Sequence, residues 1–176
     1  MVSLRIAPLP GYTPTIGRLV SMLTYSRETL LTAVEGLSRD ELDHLHDARS
    51  NSVGALLAHT AAVERWYQVL TFEGRAPSAS EEAAWSAALD LGDVGRREIR
   101  GRELASYVDD LARTRRLTLA ALAERDDAWL DGPLLAAPEM NGHWAWFHVA
   151  EDEINHRGQI RWLRERLPTG RAGGTP

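Results

Sequence analysis

Four stretches of the chain repeat apolar residues at steps of three and four, the spacing that gathers them on one face of an α-helix. In the first, from about Thr15 to Gly36, Ile16, Leu19, Leu23, Leu30 and Val34 share a face, and "GLSRDEL" ends it. The second follows the polar "HLHDARSN", takes Asn51 or Ser52 as its cap, and aligns Leu56, His59, Val63, Trp66 and Leu70. The third, from Glu103 to about Glu124, aligns Leu104, Tyr107, Leu111, Leu117 and Ala121, leaving Arg113, Arg115 and Arg116 to solvent. The fourth begins near Asn141, stops before Pro168 and aligns Val149, Ile160, Leu163 and Leu167. Between the second and third, "PSASEE" starts a short connecting helix and "LGDVGRREIRGR" reads as a polar linker punctuated by glycine. The stretch "RDDAWLDGPLLAAPEMNG" reads as a loop, and none of the connections shows sustained strand alternation with hairpin turns. The expected fold is all-α. It is a four-helix bundle with a short extra helix or long linker between helices two and three, one domain over residues 1–168, and a flexible tail at 169–176.

A length of 176 residues suits one continuous core and is short for two. Charged residues at 26% and hydrophobic residues at 44% are ordinary for a globular protein. The net charge of -5 argues against nucleic acid as the main partner, since duplex binding calls for a basic face. The opening "MVSLRIAPLPGYTPTIG" lacks the apolar run of a signal peptide, and no later segment is long and apolar enough for a bilayer. No membrane partner is therefore expected, and the cytoplasm is the expected location.

The basic residues are all arginine, which excludes a catalytic lysine, a Schiff base and a lysine-containing phosphate loop. The absence of cysteine excludes disulfides, thiolate ligands and a cysteine nucleophile. Any bound metal must then take imidazole nitrogen and carboxylate or other oxygen. Two of the apolar stripes carry such groups. Asp152 and His156 stand four residues apart on the core face of the fourth helix, and His59 lies in the seam of the second. A carboxylate isolated among Leu, Ile and Val is strongly unfavourable, and a cation supplies the compensating charge. Two imidazoles and one carboxylate suit a divalent transition metal with a position left open. Against this stands the simpler account of a hydrogen-bonded core histidine and an intrahelical Asp–His pair.

The segments "SVGALLAHTAAVERWY" and "EDEINHRGQI" together resemble the DinB/YfiT-like metal-binding four-helix bundles, and the resemblance spans nearly the whole chain. That family includes thiol-dependent transferases and the mycothiol-dependent maleylpyruvate isomerase. The resemblance implies that His59 is the one metal histidine of the second helix and His156 the histidine of the "HRGQ" element. Many members have a second histidine four residues upstream, and the isomerase branch has Glu there. This chain has Asp152, with a shorter arm, and Glu153 beside it as a substitute. Zinc is the first expectation for the metal, with nickel, manganese and iron open.

His148 shares the face of Asp152 and His156 and stands as an outer-shell or pocket group, or as a hydrogen-bonded residue at the helix start. Gln159 lies one turn beyond His156, within reach of a ligand or a neighbouring helix, while Gly158 reads as a site of close helix approach. The bundle mouth near Trp66 and Trp144 forms the expected substrate pocket, with Tyr67, Trp146 and Trp162 as further aromatic candidates. Glu64 and Arg157 read as an exposed acid and base, and His44, His46 and His143 as surface residues.

An open metal position has two uses: polarising a water, or lowering the pKa of a small thiol so that its sulfur attacks an electrophile. The resemblance implies the second. It implies a metal-dependent S-transferase with a low-molecular-weight thiol as cosubstrate, a small-molecule electrophile as substrate, and a homodimer. The chain ends soon after the fourth helix, so isomerisation, which in that enzyme goes with an additional carboxy-terminal domain, is not expected. Two readings remain beside it: a stress-related bundle that binds metal without catalysis or binds none, and a metal-dependent hydrolase.

Overall fold

The computed structural model describes residues 3–168, so the tail expected at 169–176 lies outside the described residues. Eight helices and one small hairpin make up the described fold. Helix α1 runs Pro14–Val34, α2 Arg39–Asp43, α3 Val53–Phe72, α4 Ala79–Asp90, α5 Gly92–Glu98, α6 Leu104–Ala123, α7 Asp127–Asp131 and α8 Gly142–Arg164. The four long helices, α1, α3, α6 and α8, are the four periodic stretches of the sequence. They form a bundle in which α1 packs on α8, α8 on α3 and α3 on α6, while α6 meets α1 only thinly.

Local chemistry sets the helix ends. The Ser52 and Asn141 side chains accept the backbone N–H of Ala55 and Trp144, which starts α3 and α8. Ser38 with Glu41, and Ser78 with Glu81, form capping boxes that start α2 and α4. Past α1, Gly36 adopts a φ of 76°, a conformation that costs glycine nothing and closes the helix.

Asp127, on the short helix α7, reaches across to the start of α1. Its carboxylate accepts the backbone N–H groups of Thr15 and Ile16 and the hydroxyls of Thr13 and Thr15. Led by the Thr13 hydroxyl, these bonds hold its carboxyl at about 2, below the ordinary 3.8. A depressed folded value stabilises the protein above the ordinary pKa, and the benefit is lost as pH falls through the folded one. Thermal melts of Asp127→Asn should therefore run below wild type at pH 7. The gap should shrink below about pH 4 and close near pH 2.

Two connections and one face of α6 differ from the sequence reading. Part of "LGDVGRREIRGR" is helical, as α5, with Arg96 and Arg97 in its last turn where they complement the helix dipole. The stretch before α8 holds α7, capped by Asp126, and an antiparallel pair of strands, β1 Pro133–Leu134 and β2 Ala137–Asn141. Strands this short carry no alternation to read. Leu117 on α6 is 60% exposed, not inward, because the buried face runs through Tyr107, Leu111, Thr114, Arg115, Thr118 and Leu122.

That face leads to the largest correction. Arg115 and Glu64, read as solvent-facing, are buried, and so are Arg27 and Glu153. The four come one from each long helix. Arg27 Nη2 donates to Glu64 Oε2 at 2.8 Å, and Arg27 Nε donates to Glu153 Oε1. Arg115 donates to Glu64 Oε1 at 2.7 Å and to Glu153 Oε2 at 3.0 Å. Thr118 and Ser26 hydroxyls complete the acids at 2.6 and 2.7 Å. Two guanidiniums and two carboxylates sum to no net charge, and an apolar interior tolerates charges that are paired and hydrogen-bonded in this way. Burial pushes the Glu64 carboxyl up, but Arg115, Arg27 and Thr118 more than reverse this, so it stays ionised.

The charged layer divides the core in two. On one side lie Leu30, Val34, Leu57, Tyr107, Leu111 and Ile160; on the other, Ile16, Leu19, Leu23, Leu70, Leu122 and Trp146. Trp146, a pocket candidate by sequence, is fully buried and stacks on Phe72 at 4.9 Å, so it belongs to the core.

Candidate metal centre

On α8, burial of Val149, Ile160 and Leu163 fixes which face of the helix meets the bundle. Asp152 and His156, one turn apart, lie along that face toward α3, where His59 stands opposite. His59 Nε2 lies 3.6 Å from Asp152 Oδ1, and His156 Nε2 lies 3.2 Å from the same oxygen. The two imidazole rings meet edge to face with centroids 4.7 Å apart. One donor atom from each of the three residues lies within 4.8 Å of the others, a spread that one cation can bridge.

The second nitrogen of each ring is held by an oxygen. His59 Nδ1 lies 2.8 Å from the Ala88 carbonyl on α4, and His156 Nδ1 lies 3.3 Å from Gln159 Oε1. A carbonyl oxygen can only accept, so Nδ1–H of His59 is the donor and its Nε2 keeps a free lone pair in the neutral ring. The Gln159 amide oxygen imposes the same tautomer on His156. Both lone pairs are then aimed at the space beside Asp152. Outer hydrogen bonds of this kind orient metal-binding histidines and raise their basicity. The donor set of two nitrogens and one carboxylate oxygen fits a divalent transition metal.

Charge in the cluster follows the geometry. Burial pushes the Asp152 carboxyl up, yet His156 and His59 draw it well below the ordinary carboxylate range. Burial lowers the His59 imidazole, and Asp152 more than offsets this, so the net shift is upward. Asp152 is thus an anion across the physiological range.

Other sequence candidates separate into two groups. Gln159, expected to reach a ligand or a neighbouring helix, instead lies against His156 on its own helix. Its neighbour Gly158 does not serve close packing, since a Cβ there would meet open space. Glu153 does not join the cluster: its two oxygens are taken by Arg27, Arg115 and Ser26. His148 stacks on Trp144 at 5.2 Å, meets the Tyr67 ring edge-on at 5.8 Å and contacts Glu151 at 3.2 Å. Trp144 is 47% exposed, and Trp66 packs edge-on against Tyr67. A cleft of about 390 Å³ opens beside Gln159, lined by Ser50, Asn51, Leu56, Gly158, Trp162 and Leu163. Neither Trp66 nor Trp144 lines it.

One aromatic candidate of the sequence, Tyr67, and one backbone group that sequence reasoning passed over, the Ala88 carbonyl, belong to this region. The Tyr67 hydroxyl is pushed up to about 12, by burial and then by Asp152, so it stays protonated and keeps its hydrogen-bond donor. Its signal was the spacing His59, Val63, Tyr67, one face of α3. Ala88 contributes through its backbone alone, which no side-chain pattern reveals.

Among the described residues, no helix is long and apolar enough to cross a membrane. A comparison with curated proteins returns no match. A family model described as Mycothiol-S-transferase matches residues 18–169, a span that takes in all four long helices but for the first turn of α1, together with all three residues of the cluster. The chain therefore belongs to the mycothiol S-transferase family, a DinB/YfiT-like group of helical bundles.

Proposed function

We propose that the protein is a divalent-metal-dependent S-transferase that joins a low-molecular-weight thiol to a small electrophile, with His59, Asp152 and His156 as the metal ligands. The family makes mycothiol the first thiol to test. The observation that carries the reading is the pair of ring nitrogens, each turned by an Nδ1 anchor so that Nε2 meets one carboxylate oxygen. A divalent metal, zinc by first choice, supplies a Lewis acid that makes a thiolate available at neutral pH. The chain, which has no cysteine, leaves the nucleophile to the cosubstrate. Asp152 would offset part of the ion's charge, and the Tyr67 hydroxyl, kept protonated by burial and by Asp152, would not serve as a base. The homodimer implied by the family resemblance is part of the same proposal. Sedimentation at twice the chain mass would support it.

The outer anchors give a graded test. Gln159→Leu removes the acceptor that orients His156 and should weaken metal binding by about 10–100-fold while leaving the fold intact. Chelator competition measures it.

Turnover is tested by following the disappearance of mycothiol with a panel of quinone, epoxide and haloalkyl electrophiles. Consumption that stops on chelation and returns with zinc supports transfer. A second reading has one observation in its favour: at 3.2 Å, His156 and Asp152 are close enough to pair directly. If no electrophile is consumed and no metal is held, that metal-free bundle is the better account.

A further inference from the structure

We infer that the buried layer of Arg27, Glu64, Arg115 and Glu153 is a positioning device for the metal centre. It sets how α3 and α8 are rotated about their axes, and hence whether His59 meets Asp152 and His156. The inference rests on the metal reading above and concerns residues that touch neither metal nor substrate.

The layer is wired to the helices that carry the cluster. Its two acids lie on α3 and α8, which also carry His59 and the Asp152–His156 pair. Its two arginines come from α1 and α6, the helices on the thin side of the bundle. Each arginine binds both acids, and each also reaches a backbone carbonyl on the other's helix. Arg27 Nη1 donates to the Leu111 carbonyl at 2.7 Å, and Arg115 Nη1 donates to the Leu23 carbonyl. Leu111 and Leu23 stand one turn before Arg115 and Arg27, so the two links are reciprocal. The crossed guanidiniums fill the gap between α1 and α6 and hold α3 and α8 by their carboxylates.

Helix geometry makes the consequence direct. Successive residues advance by about 100° around the axis. With Glu153 turned to the bundle centre, Asp152 lies about 100° to one side and His156 about 60° to the same side. Both then fall on the flank that faces His59. A modest rotation of α8 would carry both away together, and a purely apolar layer has little to resist it. A guanidinium fork does resist, because its paired N–H groups must stay in the plane of the carboxylates.

Stability alone does not account for the layer. Replacing a buried ion network by apolar residues of similar volume is often neutral or stabilising, because the desolvation cost disappears with the charges. What leucine and methionine cannot supply is direction. The layer and the ligands also interleave along the chain: Glu153 follows Asp152 directly and precedes His156 by three residues.

The test uses cobalt(II) as the probe, with its visible absorption reporting ligand geometry and chelator competition giving the dissociation constant. The variants are Arg115→Met with Glu64→Leu, which leaves Arg27 and Glu153 as a neutral pair, and Arg115→Lys, which keeps the charge but not the fork. The double variant should melt no lower than wild type, yet bind cobalt at least about tenfold more weakly with an altered visible band. Arg115→Lys should move both readouts the same way. A folded variant with wild-type cobalt affinity and spectrum overturns the proposal, and if the double variant does not fold, Arg115→Lys decides alone. Wild-type protein that takes up no cobalt overturns the metal reading, and the positioning role falls with it. Wild-type uptake with unaffected variants overturns the positioning role only.

Discussion

Glu64→Leu is expected to lower the free energy of unfolding by about 3–5 kcal/mol, measured by urea denaturation. The side chain is fully buried, and its two oxygens accept from Arg27, Arg115 and Thr118. Removing it leaves two guanidiniums facing one carboxylate inside the core, an uncompensated charge with nowhere to find water. A typical domain has about 5–15 kcal/mol to lose, so the variant should be marginal. Adding Arg115→Met removes the stranded charge and should restore the whole of the loss, a coupling that a double-mutant cycle isolates. The Glu64 carboxyl sits below its ordinary 4.5, so its contribution is present above that value and fades as pH falls through the depressed one. The wild-type protein should accordingly lose stability in acid, with a smaller loss in the double variant.

Asp152→Ala is expected to weaken metal binding by about a thousandfold or more, read from chelator competition. Asp152 is the anion on which both imidazoles converge, at 3.2 and 3.6 Å. A unit charge pair 4 Å apart is worth about 4 kcal/mol at an effective dielectric near 20, and each 1.4 kcal/mol is about tenfold in affinity. A directly bound carboxylate facing a divalent ion has at least that to lose. Asp152→Glu keeps the charge on a longer arm and should retain most of the affinity. The same carboxylate raises the His59 pKa in the metal-free protein, so protons compete with the metal. Affinity should fall about tenfold per pH unit for each imidazole that must shed a proton.

The fold was legible where apolar residues were unbroken. Leu19, Leu23, Leu30 and Val34 on α1, or Val149, Ile160 and Leu163 on α8, mark their faces at helical spacing and all are buried. On α3 the sequence reading was rotated by about one position. It aligned His59, Val63 and Trp66, which are half-buried, whereas the centre of the bundle meets Thr60, Ala61, Glu64 and Tyr67. Small and polar residues blurred the stripe there.

The charged layer was hidden for a related reason. Arg and Glu are ordinarily solvent-facing, so an interrupted stripe passes as two shorter ones. The interruption itself was the clue. Between Leu23 and Leu30 the inward positions of α1 are Ser26 and Arg27, and beyond Leu111 on α6 they are Thr114, Arg115 and Thr118. Each helix lacks its apolar residue at one level, and those levels coincide in the fold.

The cluster was more legible than the layer, since Asp152 and His156 stand out on a stripe of Val, Ile and Leu, and His59 on the seam of another helix. The sequence left open whether Asp152 or Glu153 joins them. The layer answers that in physical terms, because Glu153 is bound by two arginines and only Asp152 remains to meet the histidines. The anchor on His59 comes from the carbonyl of Ala88, and a backbone group leaves no mark in residue types.

The central claim is that His59, Asp152 and His156 hold one divalent ion. Elemental analysis of protein purified without a metal-affinity column, comparing wild type with His59→Ala and His156→Ala, tests it most directly. The account predicts about one equivalent of metal per wild-type chain and near none in either variant. Equal, negligible metal in all three proteins would contradict it.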